Sequence, residues 1–334
     1  MIIIKTPLRI SFFGGGTDIP EYFNDYGCTI LSTAINKHVT IVINEFTKST
    51  FNYNHRIIYR KVEELINLKD VSHPIIKVIS DNFFNNEDFN RSFDFFSFSD
   101  LPSNSGLSSS SSFTASCLQG LHFFVNNALY DKSQLAKSVI DIERKYLGEA
   151  GGYQDQIAVV YGGFNEINLD RSGFKVNNLV QNELFFDLFF KSLLLVHTGI
   201  FRNASEIESN KFTSLNAEKI SKLHDVKAMA LEAKKHLLNK NITDFAKMMT
   251  SSWGIKKSIS PLVSNDHIDS IFNLCINNGA IGGKLLGAGG GGYLLMIFSG
   301  YESKLNVLNI LTKYKIGYID NLECDLNGTK LDII

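Results

Sequence analysis

A run of small residues near the middle of the chain most restricts how the rest can fold. It reads Pro-Ser-Asn-Ser-Gly-Leu followed by five serines, from Pro102 to Ser112. A strand is predicted before it over Phe93–Phe98, and apolar spacing predicts a helix after it over Phe113–Phe124. Such a loop gathers backbone N–H donors at a helix N-terminus, where the helix dipole also attracts anions. The sequence therefore predicts a phosphate-binding loop; the alternative is a serine-rich linker.

A second glycine-rich run, from Gly282 to Tyr293, lies near the C-terminus. Gly287 to Gly292 formally fits the dinucleotide pattern G-x-G-x-x-G, but a strand rather than a helix is predicted after it, over Tyr293–Phe298. We therefore exclude a dinucleotide fold and predict a hairpin loop that packs against a ligand or against the phosphate loop. A tight turn with a purely structural role remains the alternative. The chain also lacks the G-x-x-x-x-G-K-[ST] phosphate loop.

Three glycines, Gly14 to Gly16, end an apolar strand predicted over Arg9–Phe13 and lead into Thr17 and Asp18. A glycine loop can lie close to a ligand, and a carboxylate accepts hydrogen bonds from a pair of sugar hydroxyls. Alternatively, Asp18 caps the short helix predicted to begin at Pro20 and to end before Gly27.

Two carboxylates flank a glycine-rich turn in the stretch from Glu143 to Gln156. Glu143 lies near the end of a helix predicted over Ser133–Leu147, and Asp155 follows the turn. Phosphoryl transfer requires positioning, neutralisation of charge and a base near the accepting hydroxyl. Glu143 could bind Mg²⁺ and Asp155 could accept the proton. The alternative is a surface glutamate and an aspartate that caps a helix.

Composition sets the wider limits. The 334 residues suggest about two domains, which we place at 1–180 and 190–334. The net charge of −1 gives no reason to expect nucleic acid or an anionic membrane as a partner. The four cysteines form no C-x-x-C pair, and the most apolar stretch, Leu184 to Val196, is far shorter than the roughly 20 residues of a membrane span. We expect a cytoplasmic protein with reduced thiols.

The remaining elements are predicted from periodicity. Strands are predicted at Thr29–Ile35, Val39–Phe46, Gly162–Leu169, Ser192–His197 and Ile281–Leu286, with a hairpin between Phe51–Tyr53 and Ile57–Tyr59. Helices are predicted at Ala204–Phe212, Asn216–Leu238, Thr243–Lys257, Asp266–Asn278 and Tyr301–Tyr314.

Taken together and in this order, the glycine- and serine-rich segments resemble the GHMP small-molecule kinase family. Pro102–Ser112 is similar to the family's phosphate loop, Gly282–Tyr293 to its C-terminal glycine motif, and Glu143 with Asp155 to its galactokinase-type segment. The resemblance implies an α+β fold with two domains, the first ribosomal S5-like and the second ferredoxin-like. It also implies that ATP, Mg²⁺ and a small-molecule acceptor meet in the cleft between them.

The resemblance also implies roles for individual residues. Asp155 matches the catalytic base, and Arg9 matches the basic residue that holds it. Ser110 and Glu143 match the Mg²⁺ ligands. The positions that match the ATP-phosphate cradle are Ser105, Gly106, Leu107, Ser108, Ser109 and Ser110.

For the acceptor, Asp18 matches the residue that binds sugar hydroxyls, with Gly15, Gly16 and Thr17 beside it. We also assign Gly289 and Gly290 to the acceptor site, and Arg202 to an acceptor phosphate because guanidinium binds phosphate in a bidentate manner.

Within the family, the segments most resemble kinases of heptose 7-phosphates, which implies phosphorylation of the anomeric hydroxyl of such a sugar phosphate. The alternatives are a related kinase of L-fucose or a free hexose, and a sugar or nucleotide sensor without activity on the same fold. The sequence leaves a homodimer open.

Overall fold

The computed structural model describes residues 1–47, 51–85, 89–180, 182–201 and 215–334. Within these residues two sheets are packed with helices, which confirms the α+β class. The larger sheet contains β1 Ile2–Phe13, β2 Cys28–Phe46, β3 His55–Ile58, β4 Val62–Leu65, β5 Ser92–Ser99, β6 Phe164–Asp170, β7 Gly173–Asn178 and β12 Lys330–Ile333. The smaller sheet contains β8 Leu193–His197, β9 Ala280–Leu285, β10 Tyr293–Phe298 and β11 Tyr318–Ile319.

The helices account for most of the remaining described chain. In chain order they are α1 Pro20–Tyr26, α2 Pro74–Phe83, α3 Ser109–Asn126, α4 Lys132–Ile140, α5 Gln154–Tyr161, α6 Glu183–Lys191, α7 Ala217–Leu238, α8 Ile242–Ile259, α9 Asp266–Asn277 and α10 Tyr301–Lys313. A π-helical turn, Asp141–Tyr146, continues α4. Such turns are often found at functional sites, and this one carries Glu143.

Strand β2 is the spine of the larger sheet. It pairs with β1 along most of its length, with β6 through its first six residues and with β5 through its last eight. The sequence predicted two strands here, and that prediction is wrong. The pairing register shifts between Pro7 and Leu8 of β1. The residues between the two predicted strands therefore form a bulge, and β2 continues without a turn.

The smaller sheet is antiparallel throughout, in the order β11-β8-β10-β9. Counted along the chain, this is the order 4-1-3-2 of a ferredoxin-like sheet, as expected. Strand β12 returns to the larger sheet and pairs with the first residues of β1. The division of the chain at residues 180 and 190 stays a prediction.

A second local prediction fails in the first third of the chain. The hairpin forms between β3 and β4, whereas Phe51–Tyr53 is not a strand, and the rings of Phe51 and Tyr53 stack with centroids 5.1 Å apart. Helix α1 does end at Gly27, whose N–H donates to the Phe23 carbonyl oxygen at φ 64°. The predicted helix Ala204–Phe212 and Arg202 lie outside the described residues.

An aromatic cluster packs helix α8 against the larger sheet beside the end of β1. Phe12 stacks on Phe164 with ring centroids 5.1 Å apart, and Phe245 of α8 packs edge-on against Phe12 and Phe13 at 5.6 and 5.1 Å. All four rings are fully buried. This packing fixes α8 next to the glycines that follow Phe13. In the described parts of the chain no helix has the length and apolarity to cross a membrane.

Candidate active site

A cavity lies where the loops of both sheets meet. Its lining residues are Arg9, Ser11, Gly14, Gly15, Gly16, Asp18 and Ile19 from β1 and the following loop; Asn104, Ser105, Gly106, Ser108, Ser109, Ser110 and Ser111 from the serine-rich loop and α3; Glu143, Arg144, Glu149, Ala150, Gly151, Gly152, Gln154 and Asp155 around the start of α5; and Leu223, Val226, Ser252, Trp253, Lys256, Ile259, Lys284, Gly287 and Ala288 from the C-terminal half. The predicted serine loop, glycine loop and carboxylate pair therefore share one cavity.

The serine-rich segment forms a tight loop that leads directly into α3. Asn104, Gly106 and Ser108 have φ of 62°, 82° and 64°, a left-handed conformation that is unfavourable for serine. The buried hydroxyls of Ser105 and Ser108 have no hydrogen-bond partner in the described structure. Leu107 is fully buried, and its carbonyl oxygen accepts from the Arg9 backbone N–H. Unsatisfied hydroxyls at a helix N-terminus suit a phosphate.

Arg9 connects the serine loop to Asp155. Its Nε and Nη2 atoms donate to the two carboxylate oxygens of Asp155, each at 2.9 Å, and its Nη1 donates to the Gly106 carbonyl oxygen at 2.7 Å. Arg9 is 3% exposed, whereas the Asp155 side chain keeps 27% of its surface. The carboxylate is thus oriented by a fixed cation and is still open to the cavity.

Glu143 is buried against the first turns of α3. Its carboxylate accepts hydrogen bonds from the hydroxyls of Ser111 at 3.0 Å and Thr114 at 3.1 Å, and from the Gln156 side-chain amide. Burial raises the pKa of Glu143 to about 7. The surface-glutamate alternative is excluded, because Glu143 is 1% exposed.

The two serines at the start of α3 differ in their relation to Glu143. Ser111 is buried and bonded to Glu143, whereas Ser110, which the sequence assigned to Mg²⁺, is exposed on the cavity wall. Hydroxyl and carboxylate oxygens are the ligand types that Mg²⁺ prefers, usually with one or two carboxylates and the substrate phosphates completing its shell. In the described residues no three His, Cys, Asp or Glu side chains gather as a metal site.

Asp18 ties the glycine loop to the start of α5. Its carboxylate oxygens accept the backbone N–H of Gly16 at 2.8 Å and of Gln154 at 3.1 Å. It does not cap α1, whose N-cap is Ile19 without a side-chain hydrogen bond. Gly15 and Gly16 line the cavity, whereas Thr17 is fully buried and donates to the Gly14 carbonyl oxygen.

The predicted hairpin loop between β9 and β10 packs against the serine loop. A Cβ on Gly292 would lie 2.4 Å from the Ser105 carbonyl oxygen. Gly287 and Ala288 line the cavity, whereas Gly289 and Gly290 pack against Val263, to whose carbonyl oxygen the Gly290 N–H donates at 2.8 Å. Contact of Gly289 and Gly290 with an acceptor stays a prediction.

Lys284 and Arg144 are basic residues of the cavity to which the sequence patterns assigned no role. Lys284 is 7% exposed and donates to the Phe12 carbonyl oxygen at 2.8 Å; burial, with a smaller effect of Arg9, lowers its pKa to about 7. Arg144 donates to the carbonyl oxygens of Glu149, Ala150 and Gly152 and so shapes the glycine turn before Asp155. The position of Lys284 within the apolar strand β9, just before the glycine run, was a sequence signal that could have identified it as a candidate site residue.

Known proteins resemble this chain in sequence. The family model described as "GHMP kinases N terminal domain" matches residues 74–163, and the model described as "GHMP kinases C terminal" matches residues 233–317. D-glycero-alpha-D-manno-heptose 7-phosphate kinase of Campylobacter jejuni is 34% identical over 341 residues, which cover 98% of this chain and 97% of that protein. L-fucokinase/L-fucose-1-P guanylyltransferase of Bacteroides fragilis is 25% identical, over 92% of this chain and 36% of that protein.

The fold has a solved counterpart. The crystal structure of a D-glycero-D-manno-heptose 1-phosphate kinase from Bacteriodes thetaiotaomicron matches with a TM-score of 0.79 at 23% identity, over 100% of this chain and 99% of that chain. Both halves of the family pattern are present, and one relative is similar along nearly the whole length. The chain therefore belongs to the GHMP kinase family and is an ATP-dependent sugar kinase.

Proposed function

We propose that the protein transfers the γ-phosphoryl group of ATP to the anomeric hydroxyl of D-glycero-D-manno-heptose 7-phosphate. The product would be the 1,7-bisphosphate, an intermediate suited to the synthesis of a nucleotide-activated heptose for surface polysaccharides. The choice of sugar is supported by the relative of 34% identity, whose name states this substrate.

The observation that carries the chemistry is that one guanidinium holds both Asp155 and the serine loop. Arg9 orients the Asp155 carboxylate through two hydrogen bonds and holds the Gly106 carbonyl oxygen with a third donor. A base held in this way beside a phosphate loop can orient the accepting hydroxyl and remove its proton as the phosphoryl group departs. In this proposal Arg9 also offsets charge on the transferring group.

The nucleotide phosphates would occupy the serine loop. Backbone N–H groups at the start of α3 and the unpartnered hydroxyls of Ser105 and Ser108 would donate to them. Ser111 or Ser110, together with Glu143, would hold Mg²⁺, which would neutralise charge on the nucleotide phosphates. Ser111 is favoured because it already contacts Glu143.

The acceptor would lie on the other side of Asp155. Asp18 is bonded to the backbone of Gln154, the residue next to Asp155, so the glycine loop borders this side. The Asp18 carboxylate and the N–H group of Gly15 would bind sugar hydroxyls there.

A coupled ADP-release assay over phosphorylated and free sugars tests the proposal. We expect turnover with D-glycero-D-manno-heptose 7-phosphate, and ³¹P NMR of the product should show a new anomeric phosphate beside the retained phosphate at carbon 7. Preferred turnover of L-fucose or a free hexose would replace this substrate with the fucokinase-type alternative. Absence of ADP release with every sugar would instead favour a sensor without activity.

A further inference from the structure

A chain of hydrogen bonds links the serine loop through Asp155 to Asp18 along the cavity. The serine loop is joined through Arg9 to Asp155. Asp155 adjoins Gln154, whose side chain accepts from the Ser11 hydroxyl at 2.6 Å and whose N–H donates to Asp18. Beyond Asp18, the start of α1 packs on α7, where Ile19, Tyr22 and Leu223 form a buried cluster. Lys222 of α7 in turn donates to the Ser258 carbonyl oxygen near the end of α8. The wall built by α7 and this end of α8 therefore lies on the acceptor side of Asp155.

One face of helix α8 forms part of this wall. Phe245 fixes the beginning of the helix against Phe12 and Phe13, and Met249, Ser252 and Trp253 are buried along the same face. At a rise of about 1.5 Å per residue, Trp253 lies roughly 12 Å along the helix from Phe245. Lys256 follows three residues later and lines the same cavity.

Trp253 carries the unexplained polar atom of this wall. The side chain is 2% exposed, and its Nε1 has no hydrogen-bond partner in the described structure. An indole N–H only donates, and a buried donor without an acceptor costs free energy. An oxygen of a bound ligand in the cavity would supply the missing acceptor.

Lys256 adds positive charge beside this donor. Its ammonium group donates to the carbonyl oxygen of Gly287, in the loop between β9 and β10. The other basic groups described on the cavity wall act closer to Asp155 or at the glycine turn: Arg9 on Asp155, Arg144 on three carbonyl oxygens and Lys284 on Phe12. A lysine and an indole N–H one helical turn apart favour an anionic oxygen group.

From this arrangement we infer that Trp253 and Lys256 bind the phosphate that the acceptor already carries, at the end of the sugar remote from the reacting hydroxyl. This inference rests on the proposed function, because it takes the acceptor to be a sugar phosphate. It adds two residues that select phosphorylated over free sugars, whereas the sequence offered only Arg202 for the acceptor phosphate.

Steady-state kinetics of Lys256→Gln test the inference. We expect KM for heptose 7-phosphate to rise roughly tenfold to a hundredfold, the loss typical of one hydrogen bond to a charged group, with kcat little changed. The ratio kcat/KM for free heptose should stay at the wild-type value. Lys247→Gln removes the same charge from an exposed position of α8 outside the cavity and should match wild type. Equal effects of both variants, or equal losses with free and phosphorylated heptose, would overturn the inference while leaving the proposed function standing.

Trp253 is the single tryptophan of the chain, so its fluorescence gives a readout independent of turnover. In the absence of nucleotide, heptose 7-phosphate should change the emission saturably, and Lys256→Gln should weaken this binding at least tenfold. Trp253→Phe, which removes the N–H, should raise KM for the phosphorylated sugar while its melting temperature reports any loss of packing. An emission change with ADP but none with heptose 7-phosphate would place the nucleotide at this wall and refute the subsite. Failure of wild type to phosphorylate heptose 7-phosphate would instead refute the proposed function, and the subsite with it.

Discussion

Arg9 and Asp155 face each other with two parallel hydrogen bonds, from Nε to Oδ1 and from Nη2 to Oδ2, each 2.9 Å long. The pairing is bidentate, which fixes the plane of the carboxylate as well as its distance. Because the same guanidinium binds the Gly106 carbonyl oxygen, a displacement of Asp155 would also disturb the serine loop.

Asp155→Asn should lower kcat by roughly 10²- to 10⁴-fold, the range for loss of a general base. The amide keeps the shape of the carboxylate but cannot accept a proton from the sugar hydroxyl. Nucleotide affinity, measured by calorimetry with a non-hydrolysable ATP analogue, should remain within a few-fold of wild type. Asp187→Asn, at an exposed position on α6, is the control and should retain full activity. A kcat near wild type for Asp155→Asn would exclude it as the base.

Ser111→Ala and Ser110→Ala should differ in their Mg²⁺ dependence. Removal of the Ser111 hydroxyl also removes a hydrogen bond from the buried Glu143 carboxylate, so we expect the Mg²⁺ concentration for half-maximal rate to rise by roughly tenfold or more. Ser110→Ala should raise it less, because Ser110 is exposed. The measurement is a magnesium titration at saturating ATP and sugar. The reverse order of effects would restore Ser110 as the ligand.

Lys284 should make stability depend on pH. Its pKa falls from 10.5 to about 7 in the folded protein, so between these values the unfolded chain binds one more proton than the native state. The free energy of unfolding of wild type should therefore rise with pH, relative to Lys284→Met, by up to about 1.4 kcal/mol per pH unit. The gain is lost as pH falls from 10.5 to 7, and below 7 the difference should be constant. Urea denaturation of both proteins at pH 6, 7, 8 and 9 measures this, and parallel curves would rule it out.

Gly152→Ala should disturb Asp18. A Cβ on Gly152 would lie 1.9 Å from Asp18 Oδ2, so the carboxylate or the glycine turn must move. We expect a loss of about 1–3 kcal/mol in the free energy of unfolding, as for other overpacked sites, together with a higher KM for the sugar. Gly254→Ala is the matched control, because an added Cβ on this exposed position of α8 meets nothing within 4 Å. It should stabilise by up to about 1 kcal/mol through helix propensity.

Local patterns in the sequence were sufficient to predict most of the helices and strands that position the site residues. The serine loop leads from β5 into α3 as predicted, because its small residues interrupt two strongly periodic segments. The α+β class and the ferredoxin-like sheet came from resemblance, since strand order depends on pairings between distant residues that no local pattern encodes.

The sequence could not reveal groups whose role depends on burial. No motif in the sequence distinguishes Lys284 and Arg144 from other basic residues. Only the packing of the chain brings Lys284 within hydrogen-bonding distance of the Phe12 carbonyl oxygen, and Arg144 within that of the Gly152 carbonyl oxygen in the glycine turn. For a similar reason the sequence could not show that Ser111, next to the predicted Mg²⁺ ligand Ser110, is the serine that contacts Glu143. Five consecutive serines carry no register, and the turn of α3 decides which of them faces the carboxylate.

Gly292 touches Ser105 across nearly 190 residues of chain, and this contact limits how the enzyme can be re-engineered. Any side chain at that glycine would press on the carbonyl oxygen of Ser105 in the serine loop. A chimera that takes its C-terminal half from another kinase, to acquire a new sugar preference, would thus also change the surface behind the proposed triphosphate site. Such grafts should keep the glycine hairpin and the serine loop from the same parent.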